Sequence, residues 1–281
     1  MNYRHIFHAG NFADVFKHLV LVWVLKALRR KETGFCYMET HAGAGRYDLK
    51  APESYKTGEH RSGVARLWQK PEEYFDDYLA AVRAVNRGTA LRFYPGSPRI
   101  AGVCMRPQDR MRLCEREPEE CVRLQAEFSR VPNVHVHCGD GYAVLKGWLP
   151  PDESRGLVFI DPPYESRDEP ERVLAVLRMA HARWANGIYA VWYPIKDRGA
   201  NLNWRRALTA LGLHKTLIAE LAVFPEDNAF RLNGCGMALV NPPWQLDRTL
   251  EQGLPELLKA LKQDTAGRCE VAWLIPEVSP R

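Results

Sequence analysis

Short apolar runs recur along this 281-residue chain at the spacing of strand–helix–strand units, and that rhythm restricts the fold more than any other feature. Phe35 to Met38, Arg110 to Cys114, Val134 to His137, Leu157 to Ile160, Gly187 to Trp192, Thr216 to Val223 and Gly236 to Val240 read as seven strands. Alternation with helix-patterned stretches predicts an α/β fold: a Rossmann-like, doubly wound, seven-stranded and mostly parallel sheet, with a ligand crevice beyond the carboxyl ends of its strands. The first strand runs into His41-Ala42-Gly43-Ala44-Gly45-Arg46-Tyr47, and a strand feeding a Gly-x-Gly turn starts folds of the nucleotide-binding type. Ahead of it, apolar spacing predicts a helix over Asp14 to Arg30, with Gly34 as a stop signal. The cations Arg29, Arg30 and Lys31 suit the negative end of that helix, each worth roughly 0.3–1 kcal/mol without any ligand.

From Glu59 to Arg87 the pattern is helical and charged, with Leu67, Trp68, Tyr74, Phe75, Tyr78, Leu79 and Val82 as its apolar face and no strand before Leu91 to Tyr94. Residues 48–93 are therefore expected to form an inserted helical subdomain, and 1–47 with 94–281 the main domain. After Pro95-Gly96, Ser97 is placed to cap a helix that has Pro98 at its first position. A composition of 46% hydrophobic and 26% charged residues excludes a disordered or fibrous chain. The apolar run Leu19 to Leu25 is seven residues, against roughly 20 for a bilayer span, and no small-residue cleavage site follows it. Seven cysteines without a CxxC pair, mostly in apolar stretches, read as reduced core thiols, so the cytoplasm is the expected compartment. The net charge of +5 permits a polyanionic partner without requiring one.

The sharpest chemical signal is Asp161-Pro162-Pro163-Tyr164, delivered by the strand Leu157 to Ile160. Two prolines fix φ, remove two backbone donors and keep the preceding residue extended. The Asp161 carboxylate and nearby carbonyls thereby become a rigid row of acceptors beside an aromatic ring, which suits a planar base bearing an exocyclic amine. Asn241-Pro242-Pro243-Trp244 has a similar form but follows the last of the seven strands, so Asn241 is taken as structural. His135 and His137 share a strand face, yet no further Cys or His stands at finger-like spacing, and no metal is expected.

Asp161-Pro162-Pro163-Tyr164 resembles the catalytic motif of amino-group methyltransferases that use S-adenosylmethionine, and Glu39 to Tyr47 resembles their cofactor loop. With the N-terminal stretch Tyr3 to His18, Tyr94-Pro95-Gly96-Ser97-Pro98, Asp140-Gly141 and Trp192-Tyr193-Pro194, the chain is similar nearly end to end to the RlmJ family of 23S ribosomal RNA adenine-N6 methyltransferases. The resemblance implies a class I methyltransferase in which Asp161, Pro162 and Tyr164 are catalytic, with Asp161 also facing the cofactor. Glu115 would hold the ribose hydroxyls of S-adenosylmethionine, Asp140 and Gly141 its adenine, and His18, His41, Gly43 and Ser97 would complete its contacts. Ser97 explains itself equally as a cap, and His18 as an ordinary helix residue. Tyr3, Arg4, His5 and Lys17 would form a substrate-side lip, with Tyr164 stacking on the target base. A nicotinamide enzyme would show a third glycine and an acid roughly 20 residues on. Here Asp48 stands at the glycine's place and Glu115 follows Gly45 by 70 residues.

Three rivals differ in substrate or in kind: a DNA adenine-N6 methyltransferase, a protein glutamine methyltransferase, whose motif usually opens with Asn rather than Asp161, and an RNA-binding assembly factor with a vestigial pocket. The expected partner is 23S ribosomal RNA, with no membrane, and the chain is expected to act as a monomer.

Overall fold

Helix α1 (Phe12–Leu28) begins where the Asn11 side chain accepts the Asp14 N–H at 2.9 Å, satisfying one of the amides that a helix start leaves over. It starts two residues earlier than the apolar spacing indicates and closes at Leu28, so Arg29, Arg30 and Lys31 follow its last turn instead of forming it. The computed structural model describes residues 4–69 and 73–277, which fall into two compact units, Met1–Gly141 and Tyr142–Arg281.

In the first unit α1 is followed by β1 (Cys36–Glu39), β2 (Arg46–Asp48), α2 (Pro52–Thr57), α3 (Val64–Gln69), α4 (Asp76–Ala84), β3 (Phe93–Pro95), α5 (Ser97–Cys104), β4 (Arg110–Glu115), α6 (Pro118–Phe128) and β5 (Val134–Cys138). Strand β4 runs parallel to β1 on one side and β5 on the other, while β2 and β3 form a separate antiparallel ribbon. The stretch expected to be helical from Glu59 is several short pieces, with 3-10 turns at Glu59–Arg61 and Glu73–Phe75. Because the helical axis is interrupted, Tyr74 leaves the apolar face and is 45% exposed, whereas Leu67, Phe75, Tyr78, Leu79 and Val82 are fully buried.

Two further expectations are corrected in this unit. The N-cap of α5 is Gly96, with Ser97 already the first helical residue and Pro98 the second; the Ser97 hydroxyl donates to the buried Glu39 carboxylate instead. Cys121 and Cys138 are joined as a disulfide across 17 residues, because α6 packs on β5 and brings their Cα atoms to 5.8 Å. Sequence spacing carries no signal for a pair made by packing alone. Cys36, Cys104, Cys114 and Cys235 are buried thiols, as expected.

The second unit contains α7 (Gly141–Trp148), β6 (Gly156–Ile160), α8 (Glu169–Arg183), β7 (Ile188–Ile195), α9 (Arg198–Thr209), β8 (Thr216–Ala222), β9 (Gly234–Val240), α10 (Leu246–Leu261) and β10 (Arg268–Ile275). Strands β6 and β7 are parallel; β7 with β9, β9 with β8 and β8 with β10 are antiparallel. The strands of the main sheet number eight, one more than expected, in the order β1-β4-β5 within the first unit and β10-β8-β9-β7-β6 within the second. The extra strand, β10, is an edge strand in which Arg268 and Glu270 precede the apolar run Val271 to Ile275. Among the described residues no helix is long and apolar enough to cross a membrane.

One glycine holds the antiparallel part together. Tyr193 on β7 and Glu220 on β8 are both in register with Gly236 on the intervening β9. With no side chain at Gly236, the Tyr193 ring lies over β9 and its hydroxyl donates to Glu220 at 2.8 Å. Asn201 at 3.0 Å and Arg268 at 3.0 Å also donate to this fully buried carboxylate, offsetting the cost of taking the charge out of water. A Cβ at Gly236 would lie 2.2 Å from the Tyr193 ring. Gly236→Ala is therefore expected to lower the unfolding free energy by about 1–3 kcal/mol through overpacking, read as a lower denaturant midpoint at unchanged slope.

Candidate active site

In the first unit the carboxyl ends of β1, β4 and β5 gather one group of polar residues. Glu115, the last residue of β4, is 9% exposed, and its two carboxylate oxygens accept the Gly43 N–H at 2.6 Å and the Glu117 N–H at 2.8 Å. Burial pushes its pKa up, against the pull of those N–H donors. Gly43 has φ +61°, and a Cβ there would meet the Tyr47 hydroxyl at 2.2 Å, the same hydroxyl that accepts the Ala44 N–H at 3.1 Å. Only glycine permits that turn and that closeness. Gly141 is also constrained: a Cβ would lie 2.0 Å from the Thr40 carbonyl oxygen, so the Asp140-Gly141 segment passes directly against the end of β1.

His18 is buried in α1, with Nδ1 2.8 Å from the Tyr94 hydroxyl, which lies 3.1 Å from that of Tyr78. Burial holds its pKa well below the ordinary histidine value, so the ring is neutral, and its buried Nε2 has no hydrogen-bond partner. His41 keeps Nδ1 2.8 Å from the Thr40 hydroxyl. Sequence reasoning took Glu39 only as the first residue of the loop that runs to Tyr47 and gave it no role of its own. At 0% exposed, it ends β1 and accepts from Tyr37 at 2.8 Å as well as from Ser97. A charged residue closing the apolar strand Cys36-Tyr37-Met38 was the available signal.

The described residues of the N-terminal stretch differ in burial, with Arg4 exposed, His5 half-buried and Lys17 buried. Lys17 is 7% exposed and its ammonium lies 2.8 Å from Asp14, which also accepts the Gly10 N–H at 2.8 Å and lies 3.0 Å from His5 Nε2. Burial alone would raise the Asp14 pKa; His5 and Lys17 hold it well below the usual carboxylate range. Arg4 is exposed, 3.2 Å from Glu53. Tyr3 lies outside the described residues.

In the second unit the fully buried β6 delivers a half-buried Asp161, a buried Pro162 and an exposed Pro163. Tyr164 then takes φ +50°, turning its ring back so that the hydroxyl donates to the Trp192 carbonyl at 2.9 Å and the ring meets Trp192 edge-on, 5.7 Å between centroids. Burial pushes the Tyr164 pKa well above its ordinary value, and the phenol stays protonated.

Asn241 occupies the opposite end of the same strands. Since β9 runs antiparallel to β7, with Val240 beside Tyr189 and Tyr189 beside Val158, Asn241 lies about 13 Å along the sheet from Asp161, at roughly 3.3 Å per residue. Its side-chain amide donates to the carbonyls of Ala185 at 2.7 Å and Gly187 at 2.9 Å, holding the turn into β7.

A doubly wound α/β sheet with a glycine turn after its first strand and Asp-Pro-Pro-Tyr at the carboxyl end of β6 has the class I methyltransferase fold. Residues 32–275 match the family described as "Ribosomal RNA large subunit methyltransferase D, RlmJ", and the chain belongs to that family. Two proteins named Ribosomal RNA large subunit methyltransferase J are similar over 280 residues, 99% of this chain and 100% of each relative: 42% identical in Haemophilus influenzae and 40% in Escherichia coli. A crystal structure of a Legionella pneumophila protein is 33% identical and superposes with a TM-score of 0.85 over 95% of this chain and 98% of that one.

Asn241 holds a left-handed turn, φ +53°, with two hydrogen bonds. Asn241→Ala is expected to lower the unfolding free energy by about 1–3 kcal/mol, at roughly 1 kcal/mol per bond plus the strain of φ > 0. Chemical denaturation measures it, and unchanged stability would remove the structural role.

Proposed function

We propose that this chain transfers the methyl group of S-adenosylmethionine to the exocyclic N6 of one adenosine in 23S ribosomal RNA. The observation that supports this best is the Asp161-Pro162-Pro163-Tyr164 turn at the carboxyl end of β6, in a member of a ribosomal RNA methyltransferase family. Residues 48–93 are read as an inserted subdomain that helps hold RNA.

The first unit suits a nucleoside cofactor. Glu115 is an acceptor for two ribose hydroxyls, Asp140 an acceptor for an adenine amine, and the unpartnered His18 Nε2 is a further polar contact. Gly43 and Gly141 bring backbone close where a side chain would intrude. His41 and Ser97 are assigned by the family resemblance. When bound, the cofactor supplies an electrophilic methyl group on a positively charged sulfur.

The rest of the chemistry falls to Asp161, Pro162 and Tyr164. An adenine N6 lone pair is delocalised into the ring and is a poor nucleophile. Accepting its two N–H bonds on the Asp161 carboxylate and the Pro162 carbonyl favours the pyramidal amine and aims the lone pair along the line of displacement. The amine becomes strongly acidic only as the new N–C bond forms, so an ordinary carboxylate can take its proton. Tyr164, held by the Trp192 carbonyl, offers a fixed neutral ring for stacking an extruded base.

Asp161→Ala is expected to lower transfer at least about a hundredfold while calorimetry still detects S-adenosylmethionine, and Asn241→Ala is expected to keep near-normal turnover. Retained binding of NAD with none of the sulfonium compound would overturn the cofactor assignment. Nucleoside mapping by mass spectrometry of ribosomal RNA from cells with and without this gene should show the loss of one N6-methyladenosine; a loss in DNA instead would move the substrate.

Ribose binding needs Glu115 ionised. Because burial raises its pKa, cofactor affinity should weaken as pH falls, starting at higher pH than for an ordinary glutamate, and Glu115→Gln should flatten that dependence.

A further inference from the structure

Phe230 is 103% exposed, the most exposed large hydrophobic residue among those described. It stands in the loop 223–233 between β8 and β9, and that loop is held in one shape. The Val223 and Phe224 N–H groups donate to the Asn233 carbonyl at 3.0 and 3.2 Å, and the Phe230 N–H to the Asn228 side chain at 3.0 Å. The Asn233 amide donates to the carbonyls of Asn228 and Lys196, tying the loop to the end of β7. Within it the Arg231 guanidinium covers Phe224, 3.9 Å from the ring centroid, while Phe230 is covered by nothing. The loop shelters one phenylalanine under a guanidinium and leaves the other wholly in water.

The strand registers say which edge of the unit this is. Asp161 follows Ile160, which is level with Val191, so Asp161 is level with Trp192; the loop joins β9 at Gly234, in register with Ile195, three residues further out. Phe230 is therefore carried on the same edge as Asp161 but by a loop rooted roughly 10 Å beyond it. Exposed cations, Lys196, Arg198 and Arg231, lie in the segments that flank this edge. An uncovered aromatic ring on a hydrogen-bonded loop with cations in the flanking segments suits single-stranded nucleic acid, the ring by stacking and the cations by phosphate contact.

We propose that Phe230 stacks on an unpaired RNA base flanking the target adenosine, and so helps hold the substrate without touching the reacting base. The proposal rests on the RNA-methyltransferase reading above. The test uses the full-length enzyme and a ribosomal RNA fragment that the wild type methylates. A wild type that methylates no RNA would defeat that reading, and this proposal with it. With an active wild type, Phe230→Ala should raise KM and the RNA Kd about tenfold, leave the single-turnover rate at saturating RNA unchanged, and leave the salt dependence of binding unaltered. Phe230→Trp should restore affinity, and Phe230→Leu, apolar but without a π face, should not. Replacing Arg231 should instead flatten the log–log salt slope by roughly 0.7–0.9. Wild-type KM in Phe230→Ala, or full rescue by leucine, overturns the stacking role. A collapse of the saturated rate overturns the flanking assignment, since Phe230 would then act on the target base. A defect seen only on assembled subunits and absent on naked RNA assigns the ring to a ribosomal protein and also overturns it.

Discussion

The Gly43 N–H bonded to Glu115 at 2.6 Å sets the geometry of the first unit's polar edge. It joins the turn after β1 to the end of β4, two segments 72 residues apart in the chain. The Ala42 N–H donates to the Cys114 carbonyl at 2.9 Å, so two consecutive links close the same gap. The first is made by a residue that has no room for a Cβ, because the Tyr47 hydroxyl fills the space where one would stand. A buried glutamate whose two oxygens already accept backbone N–H groups is held in one orientation.

Buried carboxylates recur, and each is satisfied differently. Asp14 has Lys17, His5 and a backbone amide; Glu39 has two hydroxyls; Glu220 has a tyrosine, an amide and a guanidinium. Removing one partner from any of them would leave a buried carboxyl group less well compensated in low dielectric, a larger loss than the single contact itself contributes. These clusters explain why polar residues interrupt apolar stretches that otherwise read as core.

Asp161 and Asn241 show how far a motif can be trusted. Both begin an Asp/Asn-Pro-Pro-aromatic turn at the end of an apolar strand. Strand direction separates them: β6 points Asp161 to one edge, and the antiparallel β9 points Asn241 to the other, where its amide caps two carbonyls. No property of four residues encodes the direction of the strand that carries them.

Strand rhythm, the glycine turn and the Asp-Pro-Pro-Tyr motif were legible in the chain because period, backbone freedom and proline stiffness are local properties. All seven expected strands are present within a few residues of their expected bounds. The remainder needed contacts between distant segments. Edge strand β10 carries the apolar run Val271 to Ile275, but its place in the sheet comes from pairing with β8, some fifty residues earlier in the chain. Ser97 has a cap's composition, but its hydroxyl goes to Glu39, 58 residues away, which no window around Ser97 contains. Lys17 reads as a surface cation until packing covers it beside Asp14. Cys121 pairs with Cys138 only because a helix settles on a strand. Sequence alone determined the elements and the chemistry at their ends; tertiary structure decided which polar groups are buried, and therefore which must find partners, because burial is a property of the packed chain and not of any segment in it.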